Sequence, residues 1–84
     1  MIAYGALLRA IRKRAGLSQE KLAERLNRTK SCISKFENNN KMPDMHTFLE
    51  WIKKTNSGDV LIAMGSGLDV QSIIQQVLQI VGAA

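Results

Sequence analysis

The sequence predicts an all-α domain, compact and built from five or six short helices. Three observations carry that expectation. Nearly every apolar pattern along its 84 residues repeats at helical spacing. No alternating run is bounded by hairpin turns, and no internal repeat or low-complexity tract occurs. The segments between the patterns carry helix punctuation, with Ser, Thr or Asp where a helix should start and Gly or Asn where one should stop.

The elements follow in order. Tyr4, Leu8, Ile11 and Ala15 lie on one face of a first helix, and Arg9, Arg12, Lys13 and Arg14 fall mostly off that stripe. Gly16 suits its end, because glycine adopts the left-handed conformation at no steric cost. Ser18 is an N-cap for a second helix with Leu22, Ala23 and Leu26 inward, closed by Asn27. Thr29 caps a third, with Ile33 and Phe36 inward and Lys30, Ser31, Ser34 and Lys35 outward. Asn38-Asn39-Asn40 reads as a loop. Pro43 suits the first turn of a fourth helix, whose apolar face is Met45, Phe48, Leu49 and Ile52 with Trp51 beside it. After a break at 55–58, Asp59 is placed to cap a short helix from Val60 to Met64. Asp69 is placed to cap a last one from Val70 to about Val81.

Composition narrows the function classes. The net charge is +5, unevenly spread: residues 1–42 hold ten Lys/Arg against three Asp/Glu, residues 43–84 two against four. No cation follows Lys54. One half is built to meet a polyanion and the other is nearly uncharged. A single cysteine excludes an internal disulfide and a cysteine metal cluster, and points to a reducing, cytoplasmic compartment. The apolar start precedes the basic run, unlike a signal peptide. The C-terminal apolar stretch is cut by Ser66, Asp69 and the glutamines between 71 and 79, so no membrane span is expected.

Two short helices joined by a three- or four-residue turn, the second with a polar outer face, describe a helix-turn-helix. The run Leu17-Ser18-Gln19-Glu20-Lys21-Leu22-Ala23-Glu24-Arg25-Leu26 carries the pattern, followed by Thr29-Lys30-Ser31-Cys32-Ile33-Ser34-Lys35-Phe36-Glu37 and Pro43, with Leu8, Ile11 and Arg12 upstream. On these residues, Leu8–Ile52 resembles the DNA-binding domain of the lambda-repressor and Cro type (XRE-like). Asn27 and Asn39 stand where that family often has glycine, and both are expected at positive φ, which Asn tolerates. Ile52 stands where the family usually has Ala, so its larger side chain requires absorption by neighbours or an extra covering element.

The resemblance implies double-stranded DNA as partner and an operator as site. Its third helix would enter the major groove, with Lys30, Ser31, Ser34 and Lys35 at base edges. Gln19, Arg12, Thr29, Asn38, Asn40 and Lys41 are expected at phosphates. It also implies an ion pair between Arg12 and Glu37, joining the first helix to the end of the third. Cys32 is expected as a small semi-apolar residue against the second helix, with a redox role the weaker alternative. His46 has no metal-ligand spacing to another His or Cys, and Trp51, Phe48 and Met45 read as core. Neither a catalytic constellation nor a phosphate loop is present, so no enzyme activity and no cofactor are expected.

The chain divides into a DNA-binding region, 1–56, and a helical extension, 57–84. In the extension, Val70, Ile73, Ile74, Val77, Ile80 and Val81 fit heptad positions a, d, e, a, d, e, opposite Gln71, Ser72, Gln75, Gln76 and Gln79. Such a stripe either packs on a second copy or caps its own core, or does both with different faces. Self-association is the expectation, because two copies related by a two-fold axis read a palindrome. A regulator acting as a homodimer or higher oligomer follows, a repressor before an activator, since a small dimer on a promoter excludes polymerase unaided. A phage, mobile-element or host regulator fits equally. No sensing domain is expected, leaving regulation to abundance, self-association or another protein. The reading from a different class is a protein-interaction module, such as an antitoxin or anti-repressor partner, that docks through the uncharged C-terminal helix.

Overall fold

The computed structural model describes residues 4–67, 72–75 and 77. Its helices are α1 (Tyr4–Arg14), α2 (Gln19–Leu26), α3 (Lys30–Glu37), α4 (Met45–Lys54) and α5 (Gly58–Gly65), and residues 72–75 and 77 are also helical. No strand occurs among the described residues.

The first four helices stop by one device. A residue in the left-handed region follows the last turn: Gly16 (φ 75°), Asn27 (55°), Asn39 (61°) and Asn56 (52°). The next amide then bonds back five residues, Leu17 to Arg12, Arg28 to Ala23, Asn40 to Lys35 and Ser57 to Ile52. This closure satisfies carbonyls that a helix end leaves without partners. Asn27 and Asn39 therefore adopt the positive φ expected of them, and Asn56 uses the same device inside the expected break. Starts are as regular. Ser18, Thr29 and Asp44 each accept a hydrogen bond from the amide three residues on.

One apolar cluster runs through every helix. It comprises Leu7, Leu8, Ala10 and Ile11 of α1, Leu22 and Ala23 of α2, Ile33 and Phe36 of α3, Trp51 and Ile52 of α4, Val60 of α5, and Ile73, Ile74 and Val77. Trp51 sits at its centre. Its indole N–H donates to the Leu8 carbonyl at 3.2 Å, and its ring meets Phe36 edge-on at 6.1 Å. Ile52 is covered within this cluster, the outcome that its size required. The core is continuous across position 57, so the extension completes the domain instead of trailing from it.

Three helix details differ from the sequence expectation. In α1 the inward face includes Leu7 and Ala10, Tyr4 is half-buried, and Ala15 lies exposed beyond the last turn. In α4, Asp44 and not Pro43 marks the start, and the inward face is Thr47, Trp51 and Ile52, continued by Thr55 just past the helix end; Met45 is 71% exposed and Leu49 43%. Ile52 and Trp51 are buried and Phe48 packs against the core as expected, but counting apolar residues admits Met45 and Leu49 and misses two threonines that are core. Thr47 accepts from Arg28 at 2.7 Å and Thr55 donates to the Trp51 carbonyl at 2.7 Å, so neither hydroxyl is left unsatisfied by burial. In α5 the helix starts at Gly58, and Asp59 is no cap. It lies in the first turn and forms a two-pronged ion pair with Arg14 (2.9 and 2.8 Å), which also reaches the buried Ser57 hydroxyl.

Of the C-terminal stripe, Ile73, Ile74 and Val77 are buried in the chain's own core. These three side chains thus take the intramolecular of the two placements open to them. Val70, Ile80 and Val81, and the expected cap Asp69, lie outside the described residues.

Candidate nucleic-acid interface

The interface is built on α2, the turn Asn27-Arg28-Thr29, and α3. Arg28 anchors the turn to α4 through Thr47, and its guanidinium lies 6.0 Å from the Phe36 ring centre. The Thr29 hydroxyl accepts from the Cys32 amide at 3.2 Å and starts α3. Hydrogen bonding to Thr29 holds the half-buried Cys32 thiol below its usual pKa, with the Lys41 and Arg28 charges adding to the shift. Hydrogen bonds from Thr47 likewise lower the Asp44 carboxyl at the start of α4.

Helical spacing turns Ile33, Phe36 and Glu37 inward, and Lys30, Ser31 and Lys35 to solvent, with Ser34 half-buried between. Behind this face the Glu37 carboxylate, 2% exposed, acts as a hub. It accepts from Arg12 Nε at 2.6 Å, Arg12 Nη2 at 3.1 Å and Gln19 Nε2 at 3.1 Å, and lies 3.5 Å from Arg9 Nε. A charge this deep is tolerated only because it is paired and bonded; such a pair adds orientation more than net stability. It locks α3 to α1 and to the start of α2 in one geometry.

The residues singled out in the sequence divide accordingly. Arg12 and Glu37 form the expected ion pair. Arg12 is 8% exposed, and its third bond goes to the Leu17 carbonyl (2.8 Å), so its guanidinium is committed to the protein interior. Gln19 is half-buried at the first position of α2, its amide nitrogen turned to Glu37. Lys30 is exposed, with its ammonium 3.7 Å from Glu20. Ser31, Lys35, Thr29 and Asn40 are exposed, and Lys41 lies exposed over Phe36 at 5.7 Å. Asn38 is exposed and bonded to both Arg9 and Ser34. Gln19 and Arg9 thus meet at Glu37, and Arg9 links on through Asn38 to Ser34.

Sequence reasoning missed three residues of this assembly. Arg9 lies one turn before Arg12 and reaches the same acid, a signal that i, i+3 spacing carries. Arg14 belongs to the basic half yet serves as a staple to α5. Asn39, beyond its left-handed turn, accepts from the Gly5 amide at 2.8 Å. A side chain on Gly5 would run into the Glu37 carbonyl, so α1 and the end of α3 approach as closely as glycine permits.

A helical core with a capped, three-residue turn between α2 and α3 defines a helix-turn-helix protein. A family model described as a helix-turn-helix domain matches residues 5–57, and the chain belongs to that family. The match and the all-helical architecture agree with a small lambda-repressor-like domain, and the family supports a role as a DNA-binding regulator. No curated protein and no solved structure gives a match. Among the described residues, no group of His, Cys, Asp and Glu is placed to hold a metal ion, and no helix is long and apolar enough to cross a membrane.

Proposed function

We propose that this protein is a sequence-specific transcriptional regulator, a repressor, that binds a palindromic operator in double-stranded DNA as a dimer. One observation supports the reading above the others. α3 exposes Lys30, Ser31 and Lys35 while the opposite side of the same helix is pinned by Ile33, Phe36 and the Glu37 hub. A rigidly held helix with solvent-exposed lysines and a serine suits the major groove, where lysine donates to guanine O6 and N7. Ser34 joins them at base edges. Gln19, Thr29, Asn38, Asn40 and Lys41 flank the helix as phosphate contacts, leaving Arg12 to its ion pair. Phosphate contacts supply affinity and register, and the α3 side chains supply specificity.

The second copy is proposed to meet the α5 face. Ile73, Ile74 and Val77 serve the protomer, so the self-association surface is taken to include Leu61 and Ile62 of α5, 40% and 71% exposed. α5 carries no cation, so two copies would meet there without repulsion between like positive charges. A dimer so arranged reads half-sites about one helical turn, roughly 34 Å, apart.

Selection of bound duplexes from random DNA tests the reading. The expected product is a palindrome whose binding weakens with salt at a log–log slope near −0.9 per phosphate neutralised. Weak, sequence-blind binding would reject it in favour of the protein-interaction module. Leu61→Asp with Ile62→Asp should yield monomers in light scattering with helicity retained; an unchanged mass removes α5 from the interface.

A further inference from the structure

Serine is an ambiguous reader, since its hydroxyl donates one hydrogen bond and accepts two. In this protein the neighbours of Ser34 remove part of that ambiguity. Arg9 Nη2 donates to Asn38 Oδ1 at 3.0 Å, and Asn38 Nδ2 donates to Ser34 Oγ at 3.1 Å. A guanidinium has donors only, so Asn38 must turn its oxygen towards Arg9. Its NH2 group is thereby aimed at Ser34, where it occupies a lone pair and directs the hydroxyl hydrogen elsewhere.

We infer that Arg9, acting through Asn38, positions Ser34 as a hydrogen-bond donor towards the bases, making Arg9 and Asn38 specificity-setting residues that lie outside the base contacts themselves. The inference rests on the proposed role of Ser34 at a base edge. Its consequence lies in the major-groove code. Guanine offers O6 and N7 as acceptors and thymine offers O4, whereas cytosine offers only the N4 amino donor. At the base that Ser34 meets, guanine or thymine is favoured over cytosine, whose N4 amino donor is left with one serine lone pair instead of two. Loss of one neutral hydrogen bond corresponds to about a two- to tenfold change in preference.

The test is selection from random DNA with four proteins: the unaltered chain, Ser34→Ala, Asn38→Asp and Arg9→Met. Ser34→Ala identifies the position by flattening the preference at one base pair per half-site. Asn38→Asp is the decisive variant. Its carboxylate accepts from Arg9 and from the Ser34 hydroxyl, which leaves the serine lone pairs facing the groove. The ratio of guanine plus thymine to cytosine should therefore invert at that position, whatever happens to overall affinity. Arg9→Met frees the Asn38 amide to rotate and should relax the ratio without inverting it. Asn38 is exposed and Arg9 half-buried, and circular dichroism checks that both variants fold. A lesion that was merely structural would lower affinity for all sequences alike.

If Asn38→Asp and Arg9→Met keep the original ratio while Ser34→Ala abolishes it, the relay is wrong and the Ser34 base contact stands. If Ser34→Ala changes no position, both fall together. If the unaltered chain selects no sequence at all, the regulator reading itself is lost.

Discussion

The front edge of the domain, from Arg9 through Gln19 and Glu37 to Asn38, is held by charged and amide hydrogen bonds. The rear, formed by α4, α5 and residues 73, 74 and 77, rests on apolar contact, tied at single points by the bonds of Trp51 to Leu8, Arg28 to Thr47 and Arg14 to Ser57 and Asp59. The two regions solve different problems. A recognition helix must point in one direction, and hydrogen bonds with fixed donors and acceptors supply direction. A small domain must also bury enough surface to stay folded, and apolar contact supplies that without regard to angle. The division also reinterprets the basic half. Arg12 and Arg14 contribute to its charge yet point inward or to α5, so the charge available to a polyanion is smaller than the count suggests.

Breaking the hub is expected to have the largest effect. Glu37→Gln leaves the Arg12 guanidinium buried beside a neutral amide and should cost about 3–5 kcal/mol in denaturant unfolding. A loss under about 1 kcal/mol would mean that solvent reaches the pair. Next is the rear. Ile73→Ala should cost about 2–4 kcal/mol, because Ile73 is 1% exposed in the chain's own core. If the loss instead vanished on dilution, residue 73 would be held by a second copy.

Two asparagines, one at the front and one at the rear, differ by a single bond. Asn39 and Asn56 have the same left-handed backbone, but only Asn39 bonds to Gly5 of α1. Asn39→Gly should therefore destabilise by about 1 kcal/mol, whereas Asn56→Gly should shift the midpoint far less, because glycine adopts this φ freely. Equal shifts would show that the Gly5 bond contributes nothing. The smallest effect belongs to the staple. The hydrogen bond from Arg14 holds the Asp59 carboxyl below its ordinary pKa. Its stabilisation is therefore fully present above the unfolded carboxylate value of ~3.9 and is lost as pH falls through the lower folded value. Asp59→Asn should be slightly less stable than the parent at pH 7, with the gap closing in acid. A gap independent of pH would assign the effect to packing.

The helices were legible in the sequence because their signals are local. Ser18 and Thr29 cap, Gly16 and Asn27 stop, and the α3 spacing separates Lys30, Ser31 and Lys35 from Ile33 and Phe36 within a single turn. The inward face of α4 was legible only in part: Trp51, Ile52 and Phe48 were, the threonines were not. Thr47 and Thr55 become core residues only through Arg28 and the Trp51 carbonyl, partners that no local pattern supplies. The role of Asp59 was hidden for the same reason. Its partner, Arg14, is 45 residues away along the chain.

By itself, then, the sequence determined the helix-turn-helix, its capped turn and the side chains it turns outward, since each depends on contacts within a few residues. The tertiary structure alone decided which cations stay free, which apolar stripe of α4 is buried and where Ile73, Ile74 and Val77 pack. Those outcomes depend on pairings between distant segments, and a buried polar or apolar group takes its place only when such a partner is there to satisfy it.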